Sequence, residues 1–501
     1  MATDHPERRR FGLSKSRITA FEQCHRRLWL MVHRPDLAAV HEAAQARIQA
    51  GHEVGELACS LVPGGVMVEA TDGLASAAQR TRELLEAGWS GPIFEATFEH
   101  DGVLVRVDVL TPSGDGWAIA EVKSTTGLKD YHLGDLATQV WVSFMSGLNI
   151  TSAAIRHLDN SFRLEREGDY AGLFCDVELL PTVSETVAGR AGVVAAAREV
   201  LAGPEPQISR GAHCSKPFEC GFAQHCAASE PPAPEWPVAL LPRTGKTVAE
   251  AWAARGVFDL TEVPPGALTN ATHERIREVT ATGRTWHDVD AVVAATAGWA
   301  WPRAYLDFET IGPAIPRWIG TSPFQQTPFQ FSCHIETEAG DLTHAGFLWL
   351  EPSDPRRACA EALVSLLGGE RVGAIIAYNA DFERRCVRGL AEACPDLASE
   401  LEAIASRIVD LLPIARAHYY HRDQRGSWSI KKVLPTVAPE LAYDGLEVAD
   451  GDAAQQAWLE AVRPETTEAR RAEIRSALEI YCERDTEAMV VLLRRLGGSA
   501  V

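Results

Sequence analysis

No run of eighteen apolar residues occurs in the 501-residue sequence, so nothing in it is expected to cross a bilayer as a helix. The start, MATDHPERRRFGLSKS, is basic but lacks the apolar segment of a signal peptide, and a cytoplasmic protein without membrane contact is expected. Positive charge is also scarce. Lys and Arg number 48 against 68 Asp and Glu, and the resulting net charge of −20 excludes a protein that coats nucleic acid by bulk charge. Any such contact must be local, through grooves carrying Lys and Arg and through bound cations. Internal repeats and low-complexity tracts are absent. The eleven cysteines are an odd number, and in a reducing compartment a spaced set points to metal binding rather than disulfides.

What is present is ordinary for a globular chain, with 46% apolar and 23% charged residues and enough length for two to four units. The Pro-rich stretch AASEPPAPEWPVALLPRTG, 227 to 245, marks the clearest boundary. Ahead of it, 13 to 34 has the period of one amphipathic helix, as do 41 to 60 and 74 to 88. Alternation then predicts three antiparallel strands, IFEATFEH, VLVRVDVL and WAIAEVKS, followed by a helix near 132 to 146, the strand AAIRHLD and a helix near 183 to 202. Residues 246 to 300 read as short helices forming a connector. The last 200 residues combine strands at RAYLDFET, FQFSCHI, THAGFLWL and GAIIAYNA with helices, and close on a long helix.

In YLDFETIG, strand period places Asp307 and Glu309 on one face, where two carboxylates repel unless a cation lies between them. In AYNADFERR, Asn379, Asp381 and Glu383 follow an apolar strand. In EIYCERDTEAM, Tyr481 and Asp485 share a helix face. In this order the motifs resemble those of the DnaQ-like (DEDD) 3′–5′ exonucleases, on an RNase H-like fold. The resemblance implies that Asp307, Glu309, Glu383 and Asp485 bind metal and that Tyr481 orients the attacking water. The middle acid is Glu where that superfamily has mostly Asp, and Asp381 is the alternative. Between the motifs lie Asp410, a supporting candidate, and a Gly-Ser-Trp-Ser-x-Lys-Lys loop. There Lys431 and Lys432 would hold phosphates and Trp428 stack on a base, with a solvated basic loop as the other reading.

In the first half, Asp108 lies on one strand and Glu121 and Lys123, two apart, on the next, with Glu95 and His52 upstream. The set resembles the RecB-like PD-(D/E)xK nucleases, of restriction-endonuclease-like fold. That implies metal binding by His52, Asp108, Glu121 and the Val122 carbonyl, with Lys123 acting on water or on the phosphate. Gln139 matches the Gln of the following helix, in contact with substrate. The Tyr usual four residues later is Ser143 here, and Tyr131 is a candidate replacement.

Such nucleases often carry one cysteine before the core and three after it, ligating a [4Fe-4S] cluster. Cys24 and the evenly spaced Cys214, Cys220 and Cys226 bracket the core in that way. Zinc is the rival, with His213 and His225 permitting a mixed site. The other seven cysteines read as small core residues.

Both resemblances together match a bacterial domain-of-unknown-function family fused to a RecB-like nuclease. They imply a nuclease domain over 1–226, a linker and connector over 227–300, and an exonuclease domain over 301–501. The expected protein is a DNA-binding hydrolase using Mg²⁺ or Mn²⁺, with DNA preferred over RNA. The other reading is a nucleic-acid-binding or metal-sensing protein with degenerate sites.

Overall fold

The computed structural model describes residues 12–39, 42–441, 445 and 447–499, with the side chains of 42–47 set aside. The basic start of the chain lies outside the described residues. Two compact units of mixed α/β structure result. Unit 1 is Met1–Pro231 with Pro313–Phe324, and unit 2 is Pro232–Gly312 with Gln325–Val501. The expected linker and helical connector, 227–300, lies in unit 2 from Pro232 onward. Its Trp236, Leu260, Ile276 and Val292 are buried in a core shared with Tyr305, Trp428 and Leu492.

Unit 1 contains β1 (Leu13–Ser14), α1 (Lys15–Gln23), α2 (His25–His33), α3 (Glu42–Ser60), β2 (Val66–Met67), α4 (Leu74–Glu86), β3 (Ile93–His100), β4 (Val103–Ser113) and β5 (Gly116–Lys123). It continues with α5 (Asp130–Met145), β6 (Ile150–Leu158), β7 (Phe174–Glu178), α6 (Leu180–Ala202) and α7 (Ala223–Ala228). The sheet runs β2-β3-β4-β5-β6-β7, with β1 parallel to β4. The single helix expected over 13 to 34 is instead a short strand and two helices. Cys24 separates α1 from α2 in an extended conformation (φ −165°, ψ 121°). One apolar period runs through both helices, so the sequence pattern hides the break.

In unit 2 the elements are α8 (Gly245–Ala253), α9 (Ala271–Thr282), β8 (Trp286–His287), α10 (Val289–Thr296), β9 (Arg303–Ile311), β10 (Thr327–Glu336), β11 (Leu342–Leu348), α11 (Arg356–Leu367), β12 (Ile375–Ala377) and α12 (Asp381–Ala393). After them come α13 (Ala398–Ser406), β13 (Ile408–Asp410), α14 (Leu411–His418), β14 (Tyr419–Tyr420), α15 (Ile430–Val437), α16 (Gly451–Ala461) and α17 (Glu468–Leu496). The main sheet has the order β11-β10-β9-β12-β13, antiparallel across its first three strands and parallel across β9, β12 and β13. Alternation along β9 decides what faces what. Ala304, Leu306 and Phe308 enter the core with α11 and α12, while Tyr305 joins the opposite core. Asp307 and Glu309 therefore share the Tyr305 face, against which α17 packs. Among the described residues, no helix is long and apolar enough to cross a membrane.

Two acid clusters and a four-cysteine cavity

In unit 1 the β4–β5 ladder ends at the Val109/Ala120 pair, one step before Asp108 and Glu121. Beyond it, the Val122 amide donates to Asp108 Oδ2 at 2.7 Å. Glu121, buried, accepts from Lys15 and, at 2.9 Å, from Lys123, while Gln139 donates to its other oxygen. Lys123 is also held by Asp135 at 2.7 Å, and Thr19 donates to the second Asp135 oxygen at 2.7 Å. Burial and the Glu121 charge push the Asp108 carboxyl well above its usual range. For Glu121 burial works the same way, yet Lys123 and Lys15 overcome it and hold the carboxyl low. Lys123 is raised in turn, because Glu121 and Asp135 outweigh its burial.

The remaining residues expected here stand differently. His52 is exposed on α3 and acts at a distance on Glu95, and among the described residues no hydrogen bond or ion pair joins it to Asp108 or Glu121. Glu95, with φ of 56°, is paired to Arg106 at 3.0 Å. Gln139 is fully buried, so it holds Glu121 in place rather than meeting a substrate. The Val122 N–H donates to Asp108 and orients its carboxylate. Tyr131 stands edge-on to Phe218, 4.8 Å between ring centres, within the field of Lys123 and Asp135. Ser143 is fully buried. Sequence reading missed Lys15, Thr19 and Asp135, since a lone Lys, Thr and Asp on helices carry no local signal.

In unit 2, Asp307, Glu309, Tyr481 and Asp485 line an open cleft of about 510 Å³ together with Asp450, Asp452 and Gln455 of the α16 start. One ligand atom each from Asp307, Glu309 and Cys482 lies within 4.8 Å of the others. Burial, then Asp485, Glu309 and Glu383, drive the Asp307 carboxyl well up. Burial and Asp485 push Glu309 up to about 8, and burial does the same for Glu383. Tyr481 stays a neutral hydroxyl, because burial and the surrounding carboxylates oppose its ionisation, and it donates to Asp485. Lys431 Nζ reaches the Tyr481 hydroxyl at 3.1 Å and the Ala449 carbonyl at 2.5 Å.

Asp381 and Glu383, the two candidates for the middle acid, differ in exposure. Asp381 faces solvent beside Arg384 at 3.0 Å, whereas Glu383 is buried, with one carboxylate oxygen that finds no hydrogen-bond partner among the described residues. Asp410 caps α14 through the Leu412 amide (2.9 Å) and fixes the Asn379 amide (3.0 Å), where Asn379 takes the left-handed conformation (φ 74°) and is exposed. Lys432 is exposed. Trp428 is 5% exposed and donates its indole N–H to Tyr419 at 2.9 Å, so it is a core residue and not a stacking platform. Cys482, whose sulfur lies 3.9 Å from Asp307 Oδ2, and Asp450 were missed by sequence reading.

A third feature gathers Cys24, Cys214, Cys220 and Cys226 around one small cavity, with Arg26, Arg27, Arg210 and His213 beside them. The Cys220 amide donates to the Cys214 carbonyl at 2.8 Å, which closes the loop. His225 does not line the cavity and turns to Glu205, 3.6 Å away. Among the described residues, no three sulfur or ring-nitrogen atoms here lie within 4.8 Å of one another. Of the other seven cysteines, all are buried except the partly exposed Cys175.

Residues 304–429 match the model of a domain of unknown function, DUF2779. The match begins at β9 and ends after Trp428. It takes in Asp307, Glu309, Glu383 and Asp410, and leaves Tyr481 and Asp485 outside. Over 209 residues, 38% of this chain, the sequence is 25% identical to an uncharacterized protein, UU173, of Ureaplasma parvum serovar 3. The aligned region spans 30% of that relative's length.

Proposed function

We propose that the protein is a metal-dependent nuclease with two hydrolytic sites, acting on DNA. The observation that carries this reading is that Asp307, Glu309, Tyr481 and Asp485 line one cleft, with the buried Glu383 raising the Asp307 carboxyl electrostatically. Buried carboxylates that push each other's affinity for protons upward are destabilised as anions, and hard divalent cations relieve that repulsion through oxygen ligands. Asp307, Glu309, Asp485 and Glu383 would hold Mg²⁺ or Mn²⁺, which would activate water and stabilise the leaving oxygen. The sheet order β11-β10-β9-β12-β13, with the first acids on its central strand, supports an RNase H-like exonuclease reading for unit 2. Tyr481 keeps its proton and is suited to orient a water by hydrogen bonding. Lys431 places a positive charge at the cleft, where a phosphate would sit.

For unit 1, the opened β4–β5 edge with Asp108, Glu121 and Lys123 supports a RecB-like nuclease site. Lys123 remains an ammonium between two carboxylates, which suits neutralising charge on a phosphate and not removing a proton from water. For the cysteines, the gathering of four thiols around one cavity supports the iron–sulfur cluster, with Cys₄ zinc as its rival, since thiolate ligands suit either.

The test is cleavage of 5′-labelled single- and double-stranded DNA and RNA with Mg²⁺ or Mn²⁺, using Asp307→Ala and Glu121→Ala separately. Each substitution should remove one mode of cleavage. If Asp307→Ala and Glu121→Ala both cleave like the unaltered chain, the reading fails. Anaerobically purified protein should be coloured and contain iron, and a colourless zinc protein would refute the cluster.

A further inference from the structure

Lys15 belongs to no motif, yet its ammonium rests on the Glu121 carboxylate 106 residues away. The sheet edge explains how it gets there. β4 carries β3 along one edge. On its other edge β5 pairs with Val109–Ser113 and β1 with Val103–Leu104. The Leu13 amide anchors β1 to the Gly102 carbonyl at 2.9 Å. The gap between β1 and β5 is where Asp108 lies, and Lys15 is the first residue after β1.

α1 then joins this gap to the cysteine cavity. One turn past Lys15, Thr19 fixes Asp135 and through it Lys123. At the far end Gln23 donates to the carbonyls of His213 (2.6 Å) and Phe218 (2.7 Å) in the cysteine loop, and Cys24 follows at the helix break. Glu22 is locked to the buried Arg190 at 2.6 Å. The two lysines on Glu121 are not equivalent. Lys123 has Asp135 as a second anchor, whereas among the described residues Glu121 is the only carboxylate within 4.0 Å of Lys15. A divalent cation at Glu121 would compete with both ammonium groups for the same oxygen, and Lys15, held by one carboxylate, would give way more readily than Lys123, held by two. The Lys15 side chain is 25% exposed.

We propose that Lys15 is a phosphate-contacting residue of the unit 1 site, and that α1 keeps it in reach only while the cysteine loop holds Cys24 and Gln23. The inference rests on the nuclease reading of that site. Its test uses the full chain carrying Asp307→Ala, so that only unit 1 cleaves. Binding of a 5′-fluorescent single-stranded oligonucleotide is followed by anisotropy in Ca²⁺ over a range of salt, and cleavage in Mg²⁺ is split into kcat and KM. Lys15→Ala should weaken binding roughly tenfold and lower the salt slope by about one, while Lys15→Arg keeps both near the parent values. Cys24→Ser should reproduce the binding loss and speed hydrogen exchange across residues 15–23. Unchanged affinity and slope in Lys15→Ala, with cleavage still abolished by Glu121→Ala, overturns this inference alone. Cleavage that survives Glu121→Ala overturns the underlying reading. Unchanged exchange over 15–23 in Cys24→Ser overturns the dependence on the cysteine loop.

Discussion

Asp108 accepts the main-chain amide of Val122 at 2.7 Å, immediately past the point where the ladder between their strands stops. The carboxylate thus takes the place of a backbone acceptor and links β4 to β5 past the end of their ladder. Removing it has two separable effects. Asp108→Asn keeps an acceptor for Val122 but loses the charge, so unit 1 should retain its unfolding midpoint while its cleavage disappears. Asp108→Ala strands the amide as well, costing about 1–3 kcal/mol. Equal stability of the two variants in a denaturant titration would contradict the role assigned to this bond.

Glu383 and Asp381 make a matched pair of controls, two residues apart at one helix start. The buried Glu383 should lose at least about a hundredfold in 3′–5′ cleavage as Glu383→Gln. The exposed Asp381→Ala should stay within about twofold of the parent. A large loss in Asp381→Ala would reverse the assignment.

Glu309 and Glu383 are both pushed up to about 8, from near 4.3 in an unfolded chain. A raised carboxyl favours the protonated folded form, so its contribution to stability is complete below pH 4 and is lost as pH rises through 8. In EDTA, the melting temperature of unit 2 should therefore fall between pH 5 and pH 8. Added Mn²⁺ should restore it, more at pH 8 than at pH 6, each kcal/mol moving a unit of this size by about 2–4 °C. A metal-induced rise that is larger at pH 6 would show that these acids are not its origin.

Cys24→Ser should lower the unfolding temperature of unit 1 by several degrees, because it frees the junction of α1 and α2. The 3′–5′ activity of unit 2 should persist. Calorimetry should resolve two transitions in the parent, only one of them shifted in the variant.

Trp428→Ala should behave as a core truncation, destabilising unit 2 by about 3–5 kcal/mol. Its effect on oligonucleotide affinity, measured well below the melting temperature, should be small. Lys431→Ala should do the opposite, with stability held and affinity reduced. A selective loss of affinity in Trp428→Ala would restore it as a stacking residue.

Side-chain period along single elements was legible in the sequence. Asp307 with Glu309, Glu121 with Lys123, and Tyr481 with Asp485 share a face because strand and helix geometry dictate it, whatever surrounds them. The burial of most of the ungrouped cysteines was legible for a similar reason, since a free thiol behaves as a small apolar group. Pairing of distant segments was not. Which edge of β4 receives β1, and hence that Lys15 meets Glu121, depends on contacts between residues 106 apart. The break at Cys24 is set by the loop it faces and leaves no trace in the apolar period of 13 to 34. The burial of Gln139 and Trp428, and the outward turn of Asp381, were likewise decided by what packs against them. The sequence by itself determined which chemical groups stand together on each element. Tertiary structure decided which of them meet across elements, because burial and long-range electrostatics belong to the packed molecule and not to any segment of it.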